Sequence, residues 1–284
     1  MENNVFSFKR FWDFFIYDIV YNHKKLWLYL GILIIILVIS ALLLSSNYIF
    51  NYKYPELSSY GMGDPALSKS VNMYATFLII LGCISASLMW SEMHNKNGRL
   101  TLLMNPSSTL EKGLVKFMIY IIFFIIAFII AVIIAESVRY LVYHTLYPQS
   151  DVLPLYLTSR LTVEQQDYIW DIFGNRMDHP VWFFIFLFFT IQSFFVLGAS
   201  IWFSRSFIKS LLVFGSLTLF FYFSTGITFE LIIRGKIGSM PGLFSWLAQH
   251  KFTGFYVLAI LVCIINWTLA FFRMRETEII TTKR

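Results

Sequence analysis

The chain predicts an all-α integral membrane protein with six transmembrane helices, and three observations predict it. Six long apolar runs lie at about 26–50, 71–90, 114–135, 181–203, 208–230 and 253–272. Each is near the ~20 residues an α-helix needs to cross a hydrocarbon core. The composition agrees: 58% of the 284 residues are hydrophobic, 19% aromatic and only 13% charged, with a mean hydropathy of +0.68. The loops between the runs alternate in basic content, as the loops of a polytopic protein do. A backbone in lipid has to satisfy its own hydrogen bonds, so the runs are helices.

Sorting the 22 Lys and Arg by loop gives the orientation. One side holds 14 of them: Lys9, Arg10, Lys24, Lys25, Lys96, Arg99, Lys112, Lys116, Arg205, Lys209, Arg273, Arg275, Lys283 and Arg284. The other side holds the remaining 8: Lys53, Lys69, Arg139, Arg160, Arg176, Arg234, Lys236 and Lys251. The positive-inside rule places both termini in the cytoplasm. The net charge of +6 is therefore topological and calls for no nucleic acid. The first run is longer than the apolar core of a signal peptide and reads as a retained anchor. Cys83 and Cys263 both fall inside predicted spans, where a thiol facing lipid or core is expected rather than a disulfide or metal pair.

Residues 6–23 read as an amphipathic interfacial helix. Phe8, Phe11, Trp12, Phe15, Ile16 and Ile19 share one helical face, and Lys9, Arg10 and Asp13 sit elsewhere on the wheel. Aromatics on one face and cations on another suit the boundary between headgroups and acyl chains; the alternative is an ordinary amphipathic helix packed on protein. His23-Lys24-Lys25 marks the entry to the first span. The outside loop at about 51–70 carries turn signals at Tyr54-Pro55 and from Gly61 to Pro65. The longest outside loop, about 136–180, reads as a cap on the helices, with a capping box at Thr162–Gln165 opening a short helix through Phe173. Glu136 and Arg139, at i and i+3, either pair with each other or line a water-filled mouth. The fourth span ends in Gly198-Ala199-Ser200, small residues that allow close helix approach. Gln192 and Ser193 there, and Asn266 in the sixth span, are polar interruptions that either bond a neighbouring helix or line a pathway. Between the fifth and sixth spans, Glu230 to Lys251 is broken by Gly235, Gly238, Pro241 and Gly242, and reads as a broken or partly re-entrant segment at the outer face.

The most specific inside segment is the connector from Ser91 to Lys112. Leu100, Leu102, Leu103 and Met104 give it an apolar face, and Pro106 ends that element. Ser108 and Glu111 form a capping box that restarts a helix into the third span. The product is a short amphipathic helix held by a rigid turn, an element suited to docking in a partner's groove. The competing reading is a surface connector with no partner.

The whole layout resembles the permease subunits of type-2 ABC exporters. The resemblance rests on six spans with both ends inside, an amphipathic amino-terminal helix, and a connector carrying Glu92, then Gly98, Leu103, Pro106 and Ser107, with Lys116 opening the third span. The broken stretch between the fifth and sixth spans resembles that family's outer hairpin, and the Leu103–Lys112 run resembles a bacterial subgroup of poorly known substrate. The resemblance implies that residues 6–23 are the interfacial or elbow helix and that Glu92–Pro106 is the coupling helix against a separate ATP-binding subunit. Glu92, Gly98, Leu102, Leu103 and Pro106 would carry coupling, with Arg205 and Lys209 in a second, smaller cytoplasmic contact. Gln192, Ser193 and Asn266 would be the pathway-lining candidates. It further implies a multi-pass protein of the bacterial inner membrane, paired with a second copy or a sister permease and surrounded by lipid. ATP and Mg would sit on the partner, since Gly-x-x-x-x-Gly-Lys-Ser/Thr is missing from this chain. The loop at 136–180 is longer than the family's compact version, which leaves room for an accessory role.

Two other classes compete. A membrane enzyme lacks support in the spans, which carry neither His-Glu-x-x-His nor Gly-x-Ser-x-Gly, and whose ends or loops hold all five histidines. The chain therefore reads as a non-enzyme. A non-transporting scaffold or sensor subunit on the same fold is the alternative, favoured by the large outside cap and by spans that read as free of charge.

Overall fold

In a computed structural model, residues 6–52, 65–94, 96–146, 180–233 and 251–282 are described. They form helices throughout: α1 (Phe8–Tyr52), α2 (Pro65–Leu88), a 3-10 turn (Ser91–His94), α3 (Lys96–Met104), α4 (Thr109–Phe117), a π-helical stretch (Met118–Phe123), α5 (Phe124–Leu146), α6 (Pro180–Ile201), α7 (Ser206–Ile233) and α8 (Lys251–Thr282). Among the described residues, six helical stretches are long and apolar enough to cross a membrane, and each overlaps one of the six predicted runs. Pro65 and Pro180 stand at the first positions of α2 and α6, where the missing N–H costs nothing and the fixed φ suits a helix.

Two boundaries differ from the sequence reading. The interfacial helix and the first span are one unbroken helix of 45 residues, with no break at His23-Lys24-Lys25. At 1.5 Å per residue α1 is about 68 Å long, more than twice a ~30 Å hydrocarbon core. Lys and Leu are good helix formers, and nothing in that junction resembles Gly or Pro. The third span also runs on as helix to Leu146, so Glu136 and Arg139 belong to α5 and not to the outside loop. The expected turn at 54–65, the capping box at 162–165 with its helix, and the broken segment after Glu230 lie largely outside the described residues.

The chain divides into two compact units, whose boundaries fall inside α1, α2 and the π stretch. One unit comprises residues 12–82 and 121–178. Its core interleaves Leu33, Leu37 and Ala41 of α1 with Tyr74 of α2 and Phe128, Ala131 and Ala135 of α5. The i, i+4 spacing puts each set on one helical face, and the alanines let backbones approach. Below that core the Tyr74 hydroxyl donates to Glu136 Oε1 at 2.7 Å, and Arg139 donates twice to Glu136 Oε2, from Nε at 3.1 Å and Nη2 at 2.9 Å. Both charged side chains are sealed from solvent, at 0% and 1% exposure. Glu136 and Arg139 therefore pair, as one of the two sequence readings had it, and the expectation of charge-free spans is corrected: a pair at i, i+3 can neutralise itself inside one helix.

The second unit comprises residues 1–11, 83–120 and 179–284. Here α6 packs along α8, with Asn266 Nδ2 donating to Ser193 Oγ at 2.9 Å and Phe186 against Tyr256 at 4.9 Å between ring centroids. Gly198 of α6 abuts Ser210 of α7 so closely that any Cβ there would collide with the serine side chain. By contrast α7 leaves Leu211, Leu212, Leu219, Phe220, Phe221, Tyr222 and Phe223 exposed along its length.

Candidate functional site

The connector between α2 and α4 is built by three local devices. The chain leaves α2 through a turn in which Met93 N donates to Trp90 O at 3.0 Å and the Met93 side chain is buried. Arg99 of α3 reaches back to the Met93 carbonyl with Nε at 3.3 Å and Nη2 at 3.0 Å. That fold-back brings Glu92 against Gly98, where a Cβ would stand 2.5 Å from the Glu92 carbonyl oxygen. Only glycine fits so close to another backbone. Next, α3 stops before Asn105-Pro106, because the ring of Pro106 disfavours helical backbone at the preceding residue. Asn105 Oδ1 accepts from Ser107 N at 3.2 Å and Ser107 Oγ at 2.8 Å, which fixes the turn around the proline. Finally, the predicted capping box is present: Glu111 N donates to Ser108 Oγ at 3.2 Å, and Ser108 N donates to Glu111 Oε2 at 2.7 Å.

Two carboxylates, Glu111 fully buried and Glu92 partly so, fasten this module to other helices. Glu111 uses its second oxygen to accept from Ser7 N at 2.6 Å and from Arg10 Nη2 at 3.1 Å. One fully buried side chain thus caps α4 and also holds the start of α1, where the free N–H groups and the positive dipole end attract an anion. Glu92 pairs with Lys116 of α4 at 2.8 Å; the lysine side chain is 1% exposed and lies 5.9 Å from the centroid of the Tyr120 ring. Charge-assisted bonds of this length, largely shielded from water, are the strong kind. Glu92, Glu111 and Lys116 are each engaged, and the arrangement holds elements in place.

A second loop borders the module. Ser206, at the start of α7, donates from Oγ to Ser87 O at 2.7 Å. Arg205 just before it has φ of 52°, a left-handed backbone that non-glycine residues seldom adopt, and its side chain is exposed. Lys209 N closes that turn on the Arg205 carbonyl at 3.2 Å, with its own side chain in solvent. Between the two loops lies a cleft of about 600 Å³ lined by Ser91, His94, Ser204 and Arg205 among others.

Comparison with known proteins gives no match. No family model, no curated protein and no solved structure resembles this chain closely enough to count. The site therefore stands on its own geometry.

The residues singled out from the sequence fall into three groups. Glu92, Gly98 and Pro106 shape the connector as just described, and Arg205 comes to the same cleft as Ser91 and His94. Leu102 is 4% exposed and packs inward, so it supports α3 rather than presenting a docking face. The exposed apolar residues of α3 are Leu100 and Met104, at i and i+4 on one face, with Met104 81% exposed. The described side chains do not include Leu103. Gln192, Ser193 and Asn266 are all buried, and Ser193 and Asn266 bond each other between α6 and α8, the first of the two readings offered for them. Glu111 and Lys116 are the residues whose reach the sequence hid, since their partners lie 104, 101 and 24 positions away. The capping-box acid at the third position of the predicted helix was the signal the sequence offered.

Proposed function

We propose that this chain is the membrane-spanning subunit of an ATP-driven ABC exporter in a bacterial inner membrane, coupled to a separate ATP-binding subunit through residues 91–112. Both termini lie in the cytoplasm on this reading, and the first part of α1, which continues the first span without a break, projects past the hydrocarbon core with Phe8, Trp12, Ile16 and Tyr17 exposed. The observation that carries the reading is the fastening of α3. A short helix with exposed Leu100 and Met104 is tied by Glu92 to Lys116 at the head of the third span, and Glu111 ties the same module to the start of α1. A partner that gripped α3 and moved it would pull on both helices together, as a switch between inward- and outward-open states needs. The π stretch Met118–Phe123 follows directly behind Lys116, and such stretches are frequent at functional sites. Arg205 and Lys209 supply the second contact. The exposed face of α7 is open to a second copy, a sister permease or lipid.

The test is gentle solubilisation of the tagged chain from its native host, identification of what co-purifies, and assay of ATP hydrolysis. A stoichiometric ATP-binding subunit, lost from the double variant L100D/M104D while membrane insertion and monodispersity persist, is the expected result. A clean complex without any ATPase, in several detergents and in nanodiscs, transfers the assignment to a scaffold or sensor subunit.

A further inference from the structure

A second cleft, of about 250 Å³, lies within the same unit as the connector and is not used by the coupling proposal. Its walls are almost wholly apolar: Trp90 beyond the end of α2, Gly113 and Phe117 of α4, and Trp267, Phe271 and Met274 of α8. Phe117 and Trp267 meet edge to face at 4.9 Å, so the wall is firm. Such walls offer a water molecule few hydrogen-bond partners, so water is a poor occupant here.

Three further facts narrow the guest. Trp90 is 4% exposed, and its Nε1 is buried and donates to no acceptor among the described residues. A buried indole N–H normally finds a partner, so the guest should carry a hydrogen-bond acceptor among apolar carbons. Gly113 faces open space, because a Cβ there would meet nothing within 4 Å. A side chain at that position would enter the cleft, and glycine leaves it vacant. Finally, exposed Arg273 and Arg275 flank the wall residue Met274. Arg273 pairs with Glu276 at 3.1 Å, whereas Arg275 forms no ion pair with a described residue. Cations beside an apolar cleft attract anionic headgroups.

We propose that this cleft binds one acyl chain of an anionic phospholipid, with the ester carbonyl accepting from Trp90 Nε1 and the phosphate held near Arg275. The site is one of defined occupancy, distinct from the general lipid contact that an exposed helix such as α7 makes. It does not depend on the coupling assignment and would stand if no ATPase partner were found.

The experiment uses the full chain in phosphatidylethanolamine nanodiscs doped with a diazirine-acyl phosphatidylglycerol, photolysed and mapped by peptide mass spectrometry. Labelling should concentrate on 109–117 and 267–274 and should saturate under competition by unlabelled phosphatidylglycerol. Labelling of the exposed Leu219–Phe223 stretch should merely scale with dose. Gly113→Leu should remove the saturable label and leave the α7 label unchanged. Trp90→Phe should weaken labelling by the ester lipid by roughly three- to tenfold, the worth of one hydrogen bond, and leave an ether-linked analogue unaffected. Arg275→Gln should weaken phosphatidylglycerol more than a phosphatidylcholine probe. Label in the cleft that does not saturate in the unaltered chain overturns the proposal, and that arm does not depend on any variant folding. Survival of the label in Gly113→Leu, or stronger saturable labelling by a diazirine fatty acid than by the phospholipid, also overturns it.

Discussion

Two groups of buried charge lie in this molecule and are wired differently. Glu136 and Arg139 sit one helical turn apart on α5, and Tyr74 of α2 adds a hydrogen bond to the pair. Glu111 and Glu92 reach partners far along the chain: Ser7 and Arg10 at the start of α1 in one case and the head of the third span in the other. In the first network the acid and the base lie on one helix, so α5 alone brings the opposite charges together and Tyr74 joins them from α2. The second exists only when separate elements have come together, so its geometry reports on their mutual position. A self-contained pair is the kind of arrangement that lets a span carry charge. A cross-linked pair is the kind that couples one element's movement to another's.

The largest effect should come from opening the self-contained network. Glu136→Ala leaves Arg139 buried without its counter-charge, and a loss of about 3–5 kcal/mol is expected for either single truncation. Thermal unfolding followed by fluorescence-detected size exclusion should show it as a steep loss of monodisperse protein. The double variant E136L/R139L removes both charges and should recover most of that loss, since apolar replacement of a buried pair is often neutral. Tyr74→Phe should cost about 1 kcal/mol, because it takes one hydrogen bond from a carboxylate that keeps two others. Equal damage in the double and single variants would show that the network does more than neutralise itself.

Two glycines in the connector unit sharpen the contrast between local propensity and long-range fit. Gly98 and Gly113 both lie in helices, where alanine is ordinarily about 1 kcal/mol better. Gly113→Ala should realise that gain, since nothing stands within 4 Å of the added carbon. Gly98→Ala should go the other way by about 1–3 kcal/mol, because the methyl meets the Glu92 carbonyl and the fold-back has to open. Melting temperature read together with tryptic cleavage after Arg99 separates the two: the alanine at 98 should expose that bond and the one at 113 should not. Ser108→Ala should cost about 1 kcal/mol for loss of the cap and should raise cleavage only mildly.

Much of this fold was legible because lipid imposes a simple grammar. Every span announced itself by length and apolarity, and the Ser108–Glu111 cap by two residue types at the right offset. The sequence could also locate the connector's stop at Pro106, a purely local steric effect. Three things escaped it. The continuity of α1 through His23-Lys24-Lys25 escaped because a charged stretch reads equally well as an interface or as more helix. The inward packing of Leu102 escaped because a nine-residue helix with four apolar residues does not say which of them the fold-back covers. The second duty of Glu111 escaped because a capping acid has one oxygen to spare, and its use depends on which distant backbone arrives. Local chemistry was readable, and wiring between distant segments was not.

The smallest effect tests the other loop of the candidate site, and its sign is the informative part. Arg205 holds a left-handed backbone that costs a residue with a Cβ about 1–2 kcal/mol, while glycine loses up to about 1 kcal/mol more unfolded-state freedom on folding. Arg205→Gly should therefore leave stability unchanged or raise it by a few tenths to about 1 kcal/mol. Arg205→Lys keeps the charge and the strained backbone, so it should match the parent in melting. If the exposed guanidinium beside Ser91 and His94 meets a partner, the glycine variant should lose partner-stimulated ATP hydrolysis although it melts no lower, and the lysine variant should retain part of it. A glycine variant that is both more stable and fully coupled would mean that the strain serves only the turn closed by the Lys209 N–H on the Arg205 carbonyl and by Ser206 on Ser87. Function at this end of the molecule would then rest on α3 alone.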